Sequence, residues 1–244
     1  MKKIGIIGTG RIGSLVIAAL EAGEAGEYQL EAVLNRSGES SGVTSPVTDA
    51  ESFFASEMDL VIEAAGGDAL ARYGERALAV ADVWTVSAAA LVNADLFSRL
   101  ETTGSASGRR LRVLCGAIAG LDGLSAIALD PQARVECFVD VMPSENGRKT
   151  LFSGTARETA QKFPESTNVV AASALAGAGF DHTTTEVIQP GVGEGRSMGF
   201  HAKSLYGELE VKSSPAVIPP KKIHTVAANI ISCLRKESQV IWAG

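Results

Sequence analysis

The chain has 244 residues, 45% of them apolar and 20% charged, which is long enough to bury a substantial core and excludes disorder, collagen and coiled coil. The formal charge of −6, from 22 basic and 28 acidic residues with no basic block, argues against duplex nucleic acid and anionic membranes as partners. No apolar run reaches the roughly 18 residues of a bilayer span. Cys115, Cys137 and Cys233 are too scattered for a disulfide framework or a zinc pattern, so a reducing cytoplasm and no metal are expected.

The first segment, MKKIGIIGTG, has the lysines of a secretory leader, but its apolar part is short and broken by glycines. It reads instead as a strand, Lys3 to Ile7, ending in Gly8-Thr9-Gly10-Arg11-Ile12-Gly13, followed by an apolar helix from about Ile12 to Ala22 and a second strand, Leu30 to Leu34. The alternation continues. A helix after Asp49 leads to Leu60-Val61-Ile62, a helix capped by Asp68 leads to Val83–Val86, and a helix over Ala94 to Leu100 leads to Leu111–Leu114. Fully apolar strands alternating with helices predict a parallel sheet covered on both faces.

After about Gly116 the pattern changes. Val135, Cys137, Val139 and Val141 alternate with polar residues, as do Thr183-Thr185-Val187 and the stretch from Leu205 to Val211 across Gly207. With helices over Ala156–Phe163 and Asn168–Ala176 between them, these predict an α+β domain whose sheet is packed on one face and open on the other. Beyond Pro219-Pro220, the residues Ile223, Val226, Ala227, Ile230, Ile231 and Leu234 follow a helical period. That stripe is expected to pack on the first domain. The organisation is then residues 1–116 with 219–244 as a dinucleotide-binding domain, and 117–218 as a smaller α+β domain. Ser37–Ser45 and Gly191–Gly195 read as loops.

A glycine string alone is weak, but between a strand and a helix it predicts a dinucleotide site. Gly8 permits a tight turn, Gly10 lets the backbone of Gly10, Arg11 and Ile12 approach a pyrophosphate, and Gly13 allows close helix packing. A tight turn without ligand is the competing reading. The second strand ends in Asn35-Arg36-Ser37, where a ribose-binding acid would otherwise stand. Arg36, with Asn35 and Ser37, can donate to a 2′-phosphate, which points to NADP, unless Arg36 is a solvated loop charge. The small residues Ala64-Ala65-Gly66, Ser87–Ala90 and Gly116–Gly120 each follow a strand, as a cofactor lying across the sheet requires; tight helix packing would explain each one singly.

These features, with Cys115–Asp122, Gly154–Glu158 and above all Phe163-Pro164-Glu165-Ser166-Thr167-Asn168-Val169-Val170-Ala171-Ala172, resemble the L-aspartate dehydrogenase family over nearly the whole chain. These are short amino-acid dehydrogenases that also supply iminoaspartate for NAD synthesis. The resemblance implies a Rossmann domain completed by the carboxyl-terminal helix, a catalytic α+β domain and a homodimer. It also implies that Ala117 and Asn168 contact the nicotinamide half of NAD or NADP.

The family carries a catalytic histidine near an Asn-x-His-Glu string, in a strand after the helix containing Asn168. Counting from Asn168 and from Tyr206-Gly207 places that position at Met198, three residues before His201. On a regular strand an odd offset turns the side chain to the other face, and only a bulge, for which Gly199 is the candidate, would bring His201 back. His201 is accordingly the candidate proton-transfer group, with Met198 as the competing occupant. His182 and His224 read as solvated or capping residues, and Lys203 as an exposed strand lysine. The resemblance implies NAD(P)-dependent oxidation of L-aspartate to iminoaspartate, hydrolysed to oxaloacetate and ammonia. The alternatives are a related amino-acid or imine oxidoreductase and an NAD(P)-binding sensor without turnover.

Overall fold

The computed structural model describes residues 1–35, 49–215 and 224–243. The chain divides into two compact units, Met1–Leu114 with Ile218–Gly244, and Cys115–Val217.

The first unit runs β1 (Lys2–Ile7), α1 (Arg11–Glu21), β2 (Tyr28–Leu34), α2 (Ala50–Ala55), β3 (Leu60–Glu63), α3 (Gly67–Val80) and β4 (Asp82–Thr85). A short 3-10 turn (Ala88–Val92), α4 (Ala94–Ser107) and β5 (Leu111–Val113) follow. All five strands are parallel, in the order β2-β1-β3-β4-β5. Every residue of β3 is buried, because helices cover both sheet faces and no side chain can turn to solvent. The connections run outward from β1 to β2 and then cross back to β3, so the order reverses beside β1. Ligands of such sheets bind at the strands' carboxyl ends at that reversal.

Side chains start two of the helices: Asp49 accepts from the Glu51 and Ser52 amides at 3.2 and 2.8 Å, and Asn93 from the Leu96 amide at 3.0 Å. Asp68 does not cap its helix. Gly66, at φ +107°, is the capping residue of α3, and Asp68 sits in the first turn. The chain leaves β3 through a backbone conformation that only glycine adopts cheaply.

The second unit comprises α5 (Leu121–Ile127), β6 (Arg134–Asp140), β7 (Lys149–Thr155), α6 (Ala156–Lys162), α7 (Asn168–Ala176), β8 (Thr183–Gln189), β9 (Met198–Ser204) and β10 (Gly207–Ser213). Its mixed sheet has the order β10-β9-β6-β8-β7, with only β6 and β8 parallel. One face carries Val135, Cys137, Val139, Val187, Met198, Phe200 and Ala202, packed against Leu124, Ala156, Val170 and Ala174 of the helices. The other face presents charged residues such as Glu136, His201, Lys203 and Glu208. The strand expected across Gly207 is two strands: β9 and β10 form a hairpin that turns at Leu205-Tyr206. The edge strand β7 escaped the sequence reading because its residues are largely exposed and show no apolar alternation.

The last helix, α8 (Thr225–Glu237), returns to the first unit and packs on α1 through Ala227, Ile230, Cys233 and Leu234. Ser238 fixes its end by accepting from the Glu27 amide at 2.9 Å, and Arg235 donates to the Glu24 carbonyl.

Candidate functional site

Three connections meet at the carboxyl ends of β1, β2 and β3. The amide of Gly8 donates to Leu34 O and that of Ala64 to Ile7 O, both at 2.9 Å, which ties the strand ends together. Gly8 has φ +107°, and a Cβ on it would lie 2.8 Å from the Cβ of Ala65. A Cβ on Gly13 would lie 2.0 Å from Gly8 O, so the turn is pressed against α1 as close packing of helix on strand demands. Gly10 differs from both. Its φ is −66°, and a Cβ there would meet nothing within 4 Å. It borders open space.

That space is a cavity of about 450 Å³ lined by Ile7, Gly8, Thr9 and Gly10 on one side and by Leu34, Asn35, Ala64 and Ala65 around it. Arg11 and Ile12 begin α1, whose amino end has no side-chain cap, leaving its first amides for an anion. A dinucleotide pyrophosphate fits this arrangement. Arg36 lies outside the described residues.

The loop after β3 is held by the acid that ends the strand, a residue assigned no role above. Glu63 is 1% exposed, and one carboxylate oxygen accepts from the amides of Ala65 and Gly66 at 2.7 and 2.8 Å. The other accepts from Thr85 Oγ1 at 2.5 Å, and Thr85 Oγ1 accepts from the Ser87 amide at 3.0 Å. Burial raises the Glu63 pKa, and these hydrogen bonds oppose the shift. Glu63 thus joins the turn after β3 to the turn after β4. The clue in the sequence was a lone acid ending an apolar strand.

In the second unit Asn168 opens α7, which packs on β6 and β9 from the helix-covered side. The Ala117 carbonyl accepts from Ser213 Oγ at 2.6 Å. Met198 is 6% exposed on that same covered side. Its strand is fixed at entry by buried Asp140, which accepts from the Ser197 amide and hydroxyl at 2.8 and 2.9 Å. The ladders of β9 with β6 and with β10 run without interruption through Gly199, so no bulge intervenes. His201 therefore faces the open side, where its Nε2 lies 2.6 Å from Glu208 Oε1. That contact holds the Glu208 carboxyl below its usual range. Cys137 is inert by contrast, with burial pushing its thiol up to about 12.

Gly8, Gly10, Asn35 and Ala65 are thus gathered around one cavity, with Gly66 in the adjoining turn, while Ala117, Asn168, Met198 and His201 belong to the second unit. Asp68, Arg72 and Tyr73 of α3 also line the cavity, which the sequence reading missed because a helix face two turns deep carries no motif. Among the described residues, no group of His, Cys, Asp and Glu could hold a metal ion, and no helix is long and apolar enough to cross a membrane.

Comparison with known proteins agrees along the chain. Residues 8–114 match the family described as homoserine dehydrogenase, NAD binding domain, and residues 122–237 match aspartate dehydrogenase, C-terminal. L-aspartate dehydrogenase 2 of Bordetella pertussis is 34% identical over 96% of both chains. L-aspartate dehydrogenase of Ruegeria pomeroyi is 32% identical over 98% of this chain and 94% of its own. The crystal structure of aspartate dehydrogenase from Thermotoga maritima superposes with a TM-score of 0.78 at 22% identity, covering 100% of both chains, which shows the shared fold. With whole-length relatives at this identity and a glycine turn built for a dinucleotide, the chain belongs to the L-aspartate dehydrogenase family.

Proposed function

We propose that this chain oxidises L-aspartate to iminoaspartate with NAD or NADP, the imine then hydrolysing to oxaloacetate and ammonia. The observation that carries the reading is the open space at Gly10, framed by a turn in which Gly8 and Gly13 are sterically obligatory. The substrate follows from the relatives, whose lengths this chain matches almost completely. A bound nicotinamide supplies hydride acceptance from the substrate's α-carbon. The chain's own part is to hold the pyrophosphate at Gly8–Ile12, with Glu63 fixing the Ala64–Gly66 loop beside it. Ala117 and Asn168 are the proposed contacts of the nicotinamide half. As hydride leaves the α-carbon, a proton leaves the amine and the C=N bond forms; water then adds to the imine carbon and ammonia departs. The family resemblance supports a homodimer, and the three scattered cysteines suit a reducing cytoplasm.

A second reading has its own observation. Met198 stands where the family places its proton-transfer histidine, and a thioether exchanges no proton near neutral pH. A cofactor-binding protein without turnover would have this pattern. Absorbance at the reduced-nicotinamide band separates the two, with L-aspartate and either oxidised cofactor, then oxaloacetate and ammonia with either reduced one. Turnover in either direction supports the dehydrogenase. Dinucleotide binding with no turnover in both directions would replace it with the second reading.

A further inference from the structure

The cavity at the glycine turn has a second wall. It is formed by the first two turns of α3, where Asp68, Ala69, Arg72 and Tyr73 face the same space as Gly8, Gly10 and Asn35. Discrimination between the two nicotinamide cofactors rests on one group, the 2′ substituent of the adenosine ribose. A carboxylate at the end of β2 accepts from the ribose hydroxyls and repels a phosphate. Here that position is Asn35, whose amide is uncharged and can donate.

Arg72 places a positive charge on the facing wall. The arginines near it are committed elsewhere: Arg76 pairs with Glu51 at 2.9 Å, and Arg99 with Glu75 at 2.8 Å. Among the described residues, Arg72 has no carboxylate within 4.0 Å, and its guanidinium lies 5.1 Å from the centroid of the Tyr73 ring. That ring is itself anchored, with Phe54 at 6.1 Å and Phe53 edge-on to Phe54 at 5.0 Å. An exposed guanidinium on a fixed aromatic platform, facing a cavity and with no carboxylate partner among the described residues, is suited to bidentate capture of a phosphate. Asp68 lies one turn earlier on α3, in the first turn, where the helix dipole favours its charge.

We infer that Arg72 receives the 2′-phosphate of NADP(H), that Asn35 donates to the same phosphate across the cavity, and that the chain therefore prefers NADP(H) to NAD(H). This rests on the reading of the cavity as the dinucleotide site, and it adds the face of α3 to the specificity determinant expected at the end of β2.

The test is titration of the full chain with NADPH and with NADH, followed by protein fluorescence, for wild type, Arg72→Ala and Arg72→Lys. Alanine is the best helix former, so the exposed α3 position tolerates it, and an unchanged thermal midpoint verifies the fold. Wild type is expected to bind NADPH more tightly. Arg72→Ala weakens NADPH roughly 10- to 100-fold, the loss of a charged hydrogen bond, and leaves NADH within about twofold. Arg72→Lys retains part of the preference, because it keeps the charge without the planar fork. Adenosine 2′,5′-bisphosphate displaces NADPH from wild type and loses that ability with Arg72→Ala. Equal weakening of both cofactors, or unchanged NADPH affinity in Arg72→Ala, would overturn the assignment. Failure of wild type to bind either dinucleotide would overturn the reading of the cavity itself.

Discussion

Met198 and His201 lie three residues apart on β9 and face opposite sides of its sheet, Met198 buried against the helices and His201 paired with Glu208 at 2.6 Å on the open side. Asn168 begins the helix that covers the Met198 side. His201 is thus separated by the sheet from the element carrying Asn168. His201→Ala is expected to leave kcat for aspartate oxidation within about twofold, whereas loss of a working general acid–base costs about 10²–10⁴-fold. A loss of that size, with cofactor affinity intact, would return His201 to the reaction.

Gly10 and Gly13 should separate binding from folding. Gly10→Val adds a side chain into open space at a backbone conformation that valine adopts, so the thermal midpoint is expected to move by no more than about 2–4 °C, the equivalent of about 1 kcal/mol. Binding of both dinucleotides should be abolished, because the side chain fills the approach to the turn. Gly13→Ala places a Cβ 2.0 Å from Gly8 O and should lower the midpoint well beyond that range. Wild-type-like titration of Gly10→Val would remove the dinucleotide site from this turn.

Much of this was legible in the chain itself. The fully apolar strands and the helices between them predicted the parallel sheet, and the stripe from Val226 to Leu234 predicted a helix seeking a partner, which α1 provides. The odd spacing of Met198 and His201 already implied opposite faces. What sequence could not show was long-range pairing. Glu63 and Thr85 stand 22 residues apart and meet only because β3 and β4 are in register. Arg72 acquires meaning only when α3 is laid beside the end of β2. Edge strand β7, lacking a buried face, left no pattern to read.

Glu63 carries a prediction of its own. Glu63→Ala leaves the Ala65 and Gly66 amides and the Thr85 hydroxyl without their acceptor, and is expected to cost about 1–3 kcal/mol in denaturant unfolding. It should weaken NADH and NADPH alike, since the loop it holds touches the turn at Gly8. Glu63→Gln can still accept from both amides and should recover most of both losses. Cofactor affinities untouched by Glu63→Ala would confine the residue to stability.

The last prediction concerns His224, the capping residue of α8, whose Nδ1 accepts from the Val226 amide at 3.3 Å. Only an unprotonated Nδ1 can accept. Burial lowers the His224 pKa, and the positive charge of Arg11 lowers it further. A folded-state value below the unfolded one, near 6.5, means that the unfolded chain binds the proton more readily. The stability this group contributes is therefore present above about pH 6.5 and is lost as the pH falls through the lower folded-state value. Since α8 packs on α1 through Ile230 and Leu234, loss of its cap weakens the core of the first unit. His224→Asn retains a capping oxygen that does not titrate, so its unfolding free energy should fall less than that of wild type between pH 7 and 5. His224→Ala should lose about 1 kcal/mol at neutral pH, as removal of a cap does. Parallel stability profiles for wild type and His224→Asn over that interval would show that His224 does not titrate against the cap.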